Sequence, residues 1–168
     1  MNLYLTVPLL TLIAVFQSVL FSQLGFQDAH VELMVMVVLT WSFVRGMEAG
    51  AVWAFIGGLL IDLFSGGPLG GTSLALLVVA FLGGLQWGRS LGPTFIRLII
   101  VTALGFLAYH IILLLVLAWT GRPVSWGFSL SRVILPGVLL NGLFAPLFHR
   151  LMVWLDRRIR RQGLNLSL

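Results

Sequence analysis

Long stretches without a charged side chain are the feature that most constrains how this chain folds. The first 27 residues contain no charge, and Leu98 to Gly121 carries none apart from a possible one on His110. Both stretches reach the roughly 20 residues that a helix needs to cross a bilayer. Of the 168 residues, 60% are hydrophobic and only 9% are charged, which excludes a soluble domain and a disordered chain. The apolar runs do not alternate with period two, so we predict an all-α polytopic membrane bundle rather than a β-barrel.

The breaks between the apolar runs predict six transmembrane helices in a single membrane domain, residues 1–168, with short loops. The predicted spans are Leu3 to Phe21, about Ala29 to Val44, about Ala49 to Phe64, Thr72 to Trp87, Leu98 to Gly121, and about Arg132 to Leu155. An alternative with five spans stays open, in which Leu33 to Ile61 forms one broken span. Six spans are preferred because a single long span would place Arg45 and Glu48 near its centre, at a high energetic cost.

The arginines predict the orientation of the bundle. All ten basic residues are Arg, and they are scattered between apolar runs except at the C-terminus, which does not resemble a nucleic-acid footprint. With both termini in the cytoplasm, only Arg122 and Arg132 lie outside, as the positive-inside rule favours. The C-terminal arginines are predicted to form a cytoplasmic anchor that attracts anionic lipid headgroups. These arginines are Arg150, Arg157, Arg158, Arg160 and Arg161.

Small residues recur every four positions along the third predicted span and the loop after it. The series is Gly46, Gly50, Ala54, Gly58, Asp62, Gly66 and Gly70, and the fourth span repeats the pattern with Ala80, Gly84 and Gly88. Such a ladder lets another helix backbone approach closely. Two interpretations stay open. The ladder packs within the chain, or it docks a partner's transmembrane helix through Gly46, Gly50, Ala54, Gly58 and Gly84.

Three polar residues, Asp62, His110 and Asn141, lie inside predicted spans, where polar groups normally face protein or water. Asp62 precedes a glycine-rich loop at 65–71, so we predict that it accepts N–H bonds from residues 65 to 70 and fixes the loop around Gly66 and Gly70. A ligand or partner contact is the alternative. His110 and Asn141 are predicted to form interhelical hydrogen bonds. Of the five acidic residues, only Asp62 is predicted to be buried.

The sequence contains no catalytic constellation. It has no Cys and no Lys, which excludes thiolate and Schiff-base chemistry, and it has no phosphate-binding loop motif. Asp28, His30 and Glu32 are close in sequence, but residues two apart do not share a helix face. We therefore predict helix capping by Asp28 and no metal site. The chain is predicted to be neither an enzyme nor a cofactor carrier.

Two segments carry a resemblance to a known family. Gly57 to Gly66 reads GGLLIDLFSG and is followed by Pro68-Leu69-Gly70, while Asn141 to Pro146 reads NGLFAP and precedes the basic tail. The first segment resembles the central signature of MreD, the bacterial rod shape-determining membrane protein, and the second resembles the last span of that family. Chain length, short loops and the basic C-terminus are similar along nearly the whole chain.

The resemblance implies a non-enzymatic scaffold subunit of the cell-elongation machinery in the bacterial inner membrane. It implies an MreC-like bitopic membrane protein as partner, together with RodA, a class B penicillin-binding protein and MreB. It also implies a fold like the six-helix substrate-binding subunits of energy-coupling-factor vitamin transporters. That kinship defines the alternative function, a small-molecule-binding subunit of a vitamin transporter.

Overall fold

Each predicted apolar run contains a helix. The computed structural model describes residues 3–23, 31–85, 94–122 and 125–164, with side chains within 6–19, 31–85, 94–122 and 125–159. The helices are α1 (Leu3–Gln23), α2 (Leu33–Arg45), α3 (Met47–Ser65), α4 (Gly71–Gly84), α5 (Thr94–Trp119) and α6, which begins as Trp126–Phe128, passes through a π-helical segment at Ser129–Ile134 and continues as Leu135–Leu164. These residues form no strand, so the all-α prediction is confirmed.

The helices α2 and α3 form an antiparallel hairpin around Gly46. The φ angle of Gly46 is 96°, a left-handed conformation that residues with a side chain rarely adopt. Ser42 lies opposite Gly50, and Met34 lies opposite Gly57. The two helices therefore run side by side, and the five-span alternative with one broken span is wrong.

The helix α2 forms the centre of the bundle and contacts all five other helices. Its residues from Met34 to Ser42 are all buried. A helix that is surrounded by protein has no solvent-facing stripe, which explains why its sequence is apolar all round. Trp41 stacks on Trp53 of α3 with 4.3 Å between the ring centroids, and both indoles are buried.

The helices differ in whether they are long enough to cross a bilayer. Met47–Ser65, Thr94–Trp119 and Trp126–Ile159 are long and apolar enough by length and composition. The helices α2 and α4 have 13 and 14 residues, or roughly 20 Å each at 1.5 Å per residue. Both are apolar but shorter than a bilayer's hydrocarbon core, so at least one end of each must lie among other protein groups.

The last helix is longer at both ends than predicted. It begins at Trp126, whereas a loop was predicted up to Ser131, and it continues to Leu164, whereas a tail was predicted from Asp156. The π-helical turns at Ser129–Ile134 lie where the predicted loop meets the predicted span. The predicted inner arginine Arg89 and the predicted cap Asp28 lie outside the described residues.

Candidate functional site

Buried polar side chains gather where α2 and α4 begin. The first turns of both helices are buried, and the N–H groups there have no partner within their own helix. In a protein interior or a bilayer, such donors must be satisfied by other groups. Side chains from three other helices supply the acceptors.

The start of α2 is capped from two sides. The Gln17 side-chain oxygen on α1 accepts the N–H of Met34 at 2.9 Å, and Oδ1 of Asn141 on α6 accepts the N–H of Glu32 at 3.2 Å. Asn141 is fully buried, and its amide also donates to the Gly137 carbonyl of its own helix at 2.8 Å. Asn141 therefore joins α6 to the start of α2.

Asp62, in the last turn of α3, caps the start of α4. One carboxylate oxygen accepts the N–H of Gly70 at 2.7 Å, and the other accepts the N–H of Thr72 at 3.1 Å. Gly70 lies within the predicted range of donors, and Thr72 lies just beyond it. The carboxylate also faces the positive end of the α4 dipole, which stabilises its negative charge. Only 3% of Asp62 is exposed, so most of its surroundings are protein groups.

The loop between α3 and α4 requires glycine at two positions. Gly66 ends α3 with a φ of 63°, and Gly70 precedes α4 with a φ of 90°, both in the left-handed region. The carbonyl of Gly66 accepts a hydrogen bond from Nη2 of Arg122 at 3.5 Å. The loop is therefore held at one end by Asp62 and at the other by the chain just after α5.

Glu32 and Tyr109 connect the two capped turns. The Glu32 carboxylate lies 3.4 Å from Nε2 of His110, and Tyr109 interacts with both Glu32 and Thr72. The three polar residues predicted within spans thus belong to one connected group. They are linked by two residues, Glu32 and Tyr109, that the sequence did not identify as part of a site.

A cavity of about 350 Å³ lies beside this group, and we call it the polar cavity. Its polar lining is Gln17, Ser18, Glu32, Asp62, Ser65, Thr72 and Tyr109, and its apolar lining includes Ala14, Ile61, Leu113 and Leu117. Known small-molecule pockets start at about 300 Å³ and combine apolar walls with a few polar groups. Within the described residues, no three His, Asp or Glu side chains are grouped to hold a metal ion.

Two further acids contradict the prediction that only Asp62 is buried. Glu32 is 6% exposed and Asp156 is 8% exposed. Asp156 forms an ion pair with Arg45, which joins α6 to the end of α2 and gives the buried carboxylate a counter-charge. The sequence offered a signal for Glu32, which directly precedes the apolar run of α2. It offered none for Asp156, whose partner is distant in the chain.

The small-residue ladder packs against the chain's own helices. A β-carbon placed on Gly50 would overlap the Ser42 side chain of α2, and one placed on Gly58 would overlap the Ser73 backbone of α4. Ser73 also donates a hydrogen bond to the Phe55 carbonyl at 3.4 Å. The glycines allow α3 to approach both neighbours closely.

Two further positions of the ladder also pack within the chain. A β-carbon on Gly84 would lie 2.5 Å from the backbone nitrogen of Met47, and Ala54 is fully buried. Gly46 has open space around it but forms the hairpin turn. Among the described residues, Gly50, Ala54, Gly58 and Gly84 therefore pack against other parts of the same chain.

An apolar groove lies instead between α1 and α6, over α2. Its volume is about 500 Å³, and every lining side chain is apolar. The lining is Leu9, Leu12, Ile13, Val15, Phe16, Val19, Leu33, Val37, Phe148, Leu151, Met152, Trp154 and Leu155. We call it the α1–α6 groove.

The predicted cytoplasmic anchor lies on the last part of α6. Arg150, Arg157 and Arg158 are exposed, and the Arg158 guanidinium lies 4.7 Å from the ring centre of Trp154. Arg160 and Arg161 belong to the same helix, but the structure does not describe their side chains. His30 also lies outside the described residues.

Comparison with known families assigns the chain. The model of the family described as rod shape-determining protein MreD matches residues 1–159, which include both the segment around Asp62 and the segment from Asn141 to Pro146. No curated protein and no solved structure gives a significant match. Because the family match covers nearly the whole length, the chain belongs to the MreD family of rod shape-determining membrane proteins.

Proposed function

We propose that this chain is a non-enzymatic scaffold of the cell-elongation machinery in the bacterial inner membrane. The observation that carries the proposal is the family match over residues 1–159. The scaffold is a single six-span domain, residues 1–168, that docks an MreC-like bitopic protein and supports peptidoglycan synthesis. RodA, a class B penicillin-binding protein and MreB complete the assembly. The arginines of α6 bind anionic lipid at the inner surface.

The α1–α6 groove supports docking of a single transmembrane helix. The helix α1 packs on α2 and α3, and α6 packs on α2 and α5. The groove therefore has α1 and α6 as its walls and α2 as its floor. Within the groove, Leu12 and Phe16 of α1 and Leu151 and Trp154 of α6 are between 49% and 69% exposed. A partner helix would cover these side chains with close packing, which is the main contribution to helix association in lipid.

Leu151→Trp is expected to reduce partner co-purification at least about fivefold, because overpacking costs roughly 1–3 kcal/mol. The measurement is the ratio of MreC-like protein to this chain after extraction in mild detergent, together with the loss of rod shape in cells. Leu139→Trp is the matched control, because Leu139 lies on the same helix, is 73% exposed and does not line the groove. Equal co-purification of both variants with the partner would contradict the groove assignment.

The proposed orientation predicts a labelling pattern. The chain has no Cys, so single Cys residues report cleanly. Gly67→Cys and Gly127→Cys should react with an impermeant thiol reagent added outside the cell, whereas Glu48→Cys and Arg157→Cys should react only after the membrane is opened. Glu48 and Arg157 are exposed, and the positive-inside rule places both on the cytoplasmic side. Labelling of Glu48→Cys from outside would show that the bundle has the opposite orientation to the one proposed.

The polar cavity favours one second candidate, a small-molecule-binding subunit similar to those of energy-coupling-factor vitamin transporters. Its volume and mixed lining suit a small polar ligand, and Glu32, Asp62 and Tyr109 supply hydrogen-bonding groups. Native mass spectrometry of the purified chain distinguishes the two functions. A vitamin retained by the purified chain, together with unchanged cell shape after deletion of its gene, would contradict the scaffold function and support the vitamin-binding one.

A further inference from the structure

A second polar pocket lies at the opposite ends of α2 and α4 from the polar cavity. It has a volume of about 240 Å³ and is lined by side chains and backbone from α2, α4 and α5. Its main polar and small residues are Ser42, Arg45, Gly46, Gly83, Gly84 and Arg97. We call it the inner arginine pocket. None of its lining residues lines the α1–α6 groove or belongs to the C-terminal anchor.

Arg97 has hydrogen-bonding capacity that the described residues do not use. Its Nε is buried and has no hydrogen-bond partner within the described part of the chain. Its guanidinium carbon lies 4.5 Å from the ring centre of Phe43, so the ring packs on one face and does not use the N–H groups. A guanidinium carries five donors, and unsatisfied buried donors are costly. The side chain therefore favours an external acceptor.

Arg45 supplies a second guanidinium to the same pocket. It forms an ion pair with Asp156 and lies over the ring of Trp41, 5.4 Å from its centre. The carboxylate of Asp156 offsets one of the two positive charges, so Arg97 provides the excess charge. The planar guanidinium groups of Arg45 and Arg97 both line this small pocket. Such groups suit a phosphate, whose oxygens accept paired N–H bonds.

We infer that the inner arginine pocket binds the phosphate group of an anionic phospholipid. Exposed apolar side chains lie close in sequence to the pocket residues of α4 and α5. They are Phe81 on α4 and Phe95 and Ile96 on α5, which are 48% to 57% exposed. They offer a surface for acyl chains that a soluble anion would not need. The inference rests on the proposed orientation, which places this end at the cytoplasmic face, where basic pockets between helices bind anionic headgroups.

The test measures lipid retention by the purified full chain without any partner. Wild-type protein in mild detergent is titrated with phosphatidylglycerol or phosphatidylcholine, and bound lipid is counted by native mass spectrometry. Arg97→Gln should lower phosphatidylglycerol retention about fivefold, since one Arg near a membrane surface contributes that much to binding. Arg132→Gln removes the same charge from an exposed position near the start of α6, outside both the pocket and the C-terminal anchor, and should leave retention nearly unchanged. Equal retention by the two variants would overturn the inference.

Two further measurements keep the result interpretable if Arg97→Gln does not fold. In the unmodified chain, a photoreactive phosphatidylglycerol should crosslink to residues 42–46, 83–85 or 94–97, and crosslinks confined to α6 would overturn the site. Excess inorganic phosphate should not displace the lipid. If phosphate alone binds and displaces it, the ligand is a soluble anion and the lipid assignment is wrong. Failure here leaves the scaffold proposal standing, because partner co-purification is a separate readout.

Discussion

Asp62→Leu should destroy the junction between α3 and α4. The carboxylate accepts the N–H groups of Gly70 and Thr72, and leucine leaves both donors unpaired at about 1–3 kcal/mol each. The positive end of the α4 dipole also loses its compensating charge. We expect a large fall in thermal stability and loss of partner assembly. Limited proteolysis should show rapid cleavage within residues 65–71 of the variant and slower cleavage of the same loop in the wild type.

Asp62→Asn is the matched control, because it keeps the shape and one acceptor oxygen. We expect it to retain most of the stability and assembly, with slower cleavage of the loop than in Asp62→Leu. A different pattern would contradict this structural role. If Asn is as damaging as Leu to cell shape while the loop stays protected, the charge of Asp62 serves a ligand or a proton rather than the loop.

The helices could be predicted from the sequence because the bilayer leaves few alternatives. An apolar run must satisfy its backbone within a helix, so the breaks at Gly46 and at the loop after Ser65 separate the helices in the structure as well. The boundaries were less predictable at α6. Its start at Trp126 and its continuation past Asp156 depend on contacts with other helices, which composition does not reveal.

The site was predictable only where the two partners are close in sequence. Asp62 and its donors lie within one helix–loop–helix unit, so the loop contact could be anticipated. Gln17 and Tyr109 lie on α1 and α5, and Glu32 directly precedes α2. Nothing local in the sequence indicates that these three residues meet. The same holds for Arg45 and Asp156, whose pairing depends on α2 and α6 packing side by side.

A common physical cause explains most of the buried polar residues. The short helices α2 and α4 start inside the bundle, and their first N–H groups need acceptors that lipid cannot supply. Gln17 and Asn141 serve α2, and Asp62 serves α4. Each of these acceptors comes from another helix, so capping and helix packing are coupled. Loss of one acceptor is therefore expected to loosen two helices rather than one.

Gly58→Ala is expected to lower the stability of the bundle strongly for a change of one methyl group. The new carbon would overlap the backbone of Ser73, not the end of a flexible side chain, so the helices α3 and α4 must separate. Overpacking of this kind costs about 1–3 kcal/mol, and Gly58→Leu should cost more. We expect a lower melting temperature in detergent for Gly58→Ala and little folded protein for Gly58→Leu.

Gly142→Ala tests whether this loss comes from the close approach rather than from replacing a helical glycine. Gly142 lies within α6, and a β-carbon there would meet nothing within 4 Å. Alanine has a higher helix propensity than glycine by up to about 1 kcal/mol, so this variant should be as stable as the wild type or slightly more stable. If Gly58→Ala matches Gly142→Ala in melting temperature, α3 and α4 are not packed as tightly as described. The small-residue ladder would then be free to receive a partner helix.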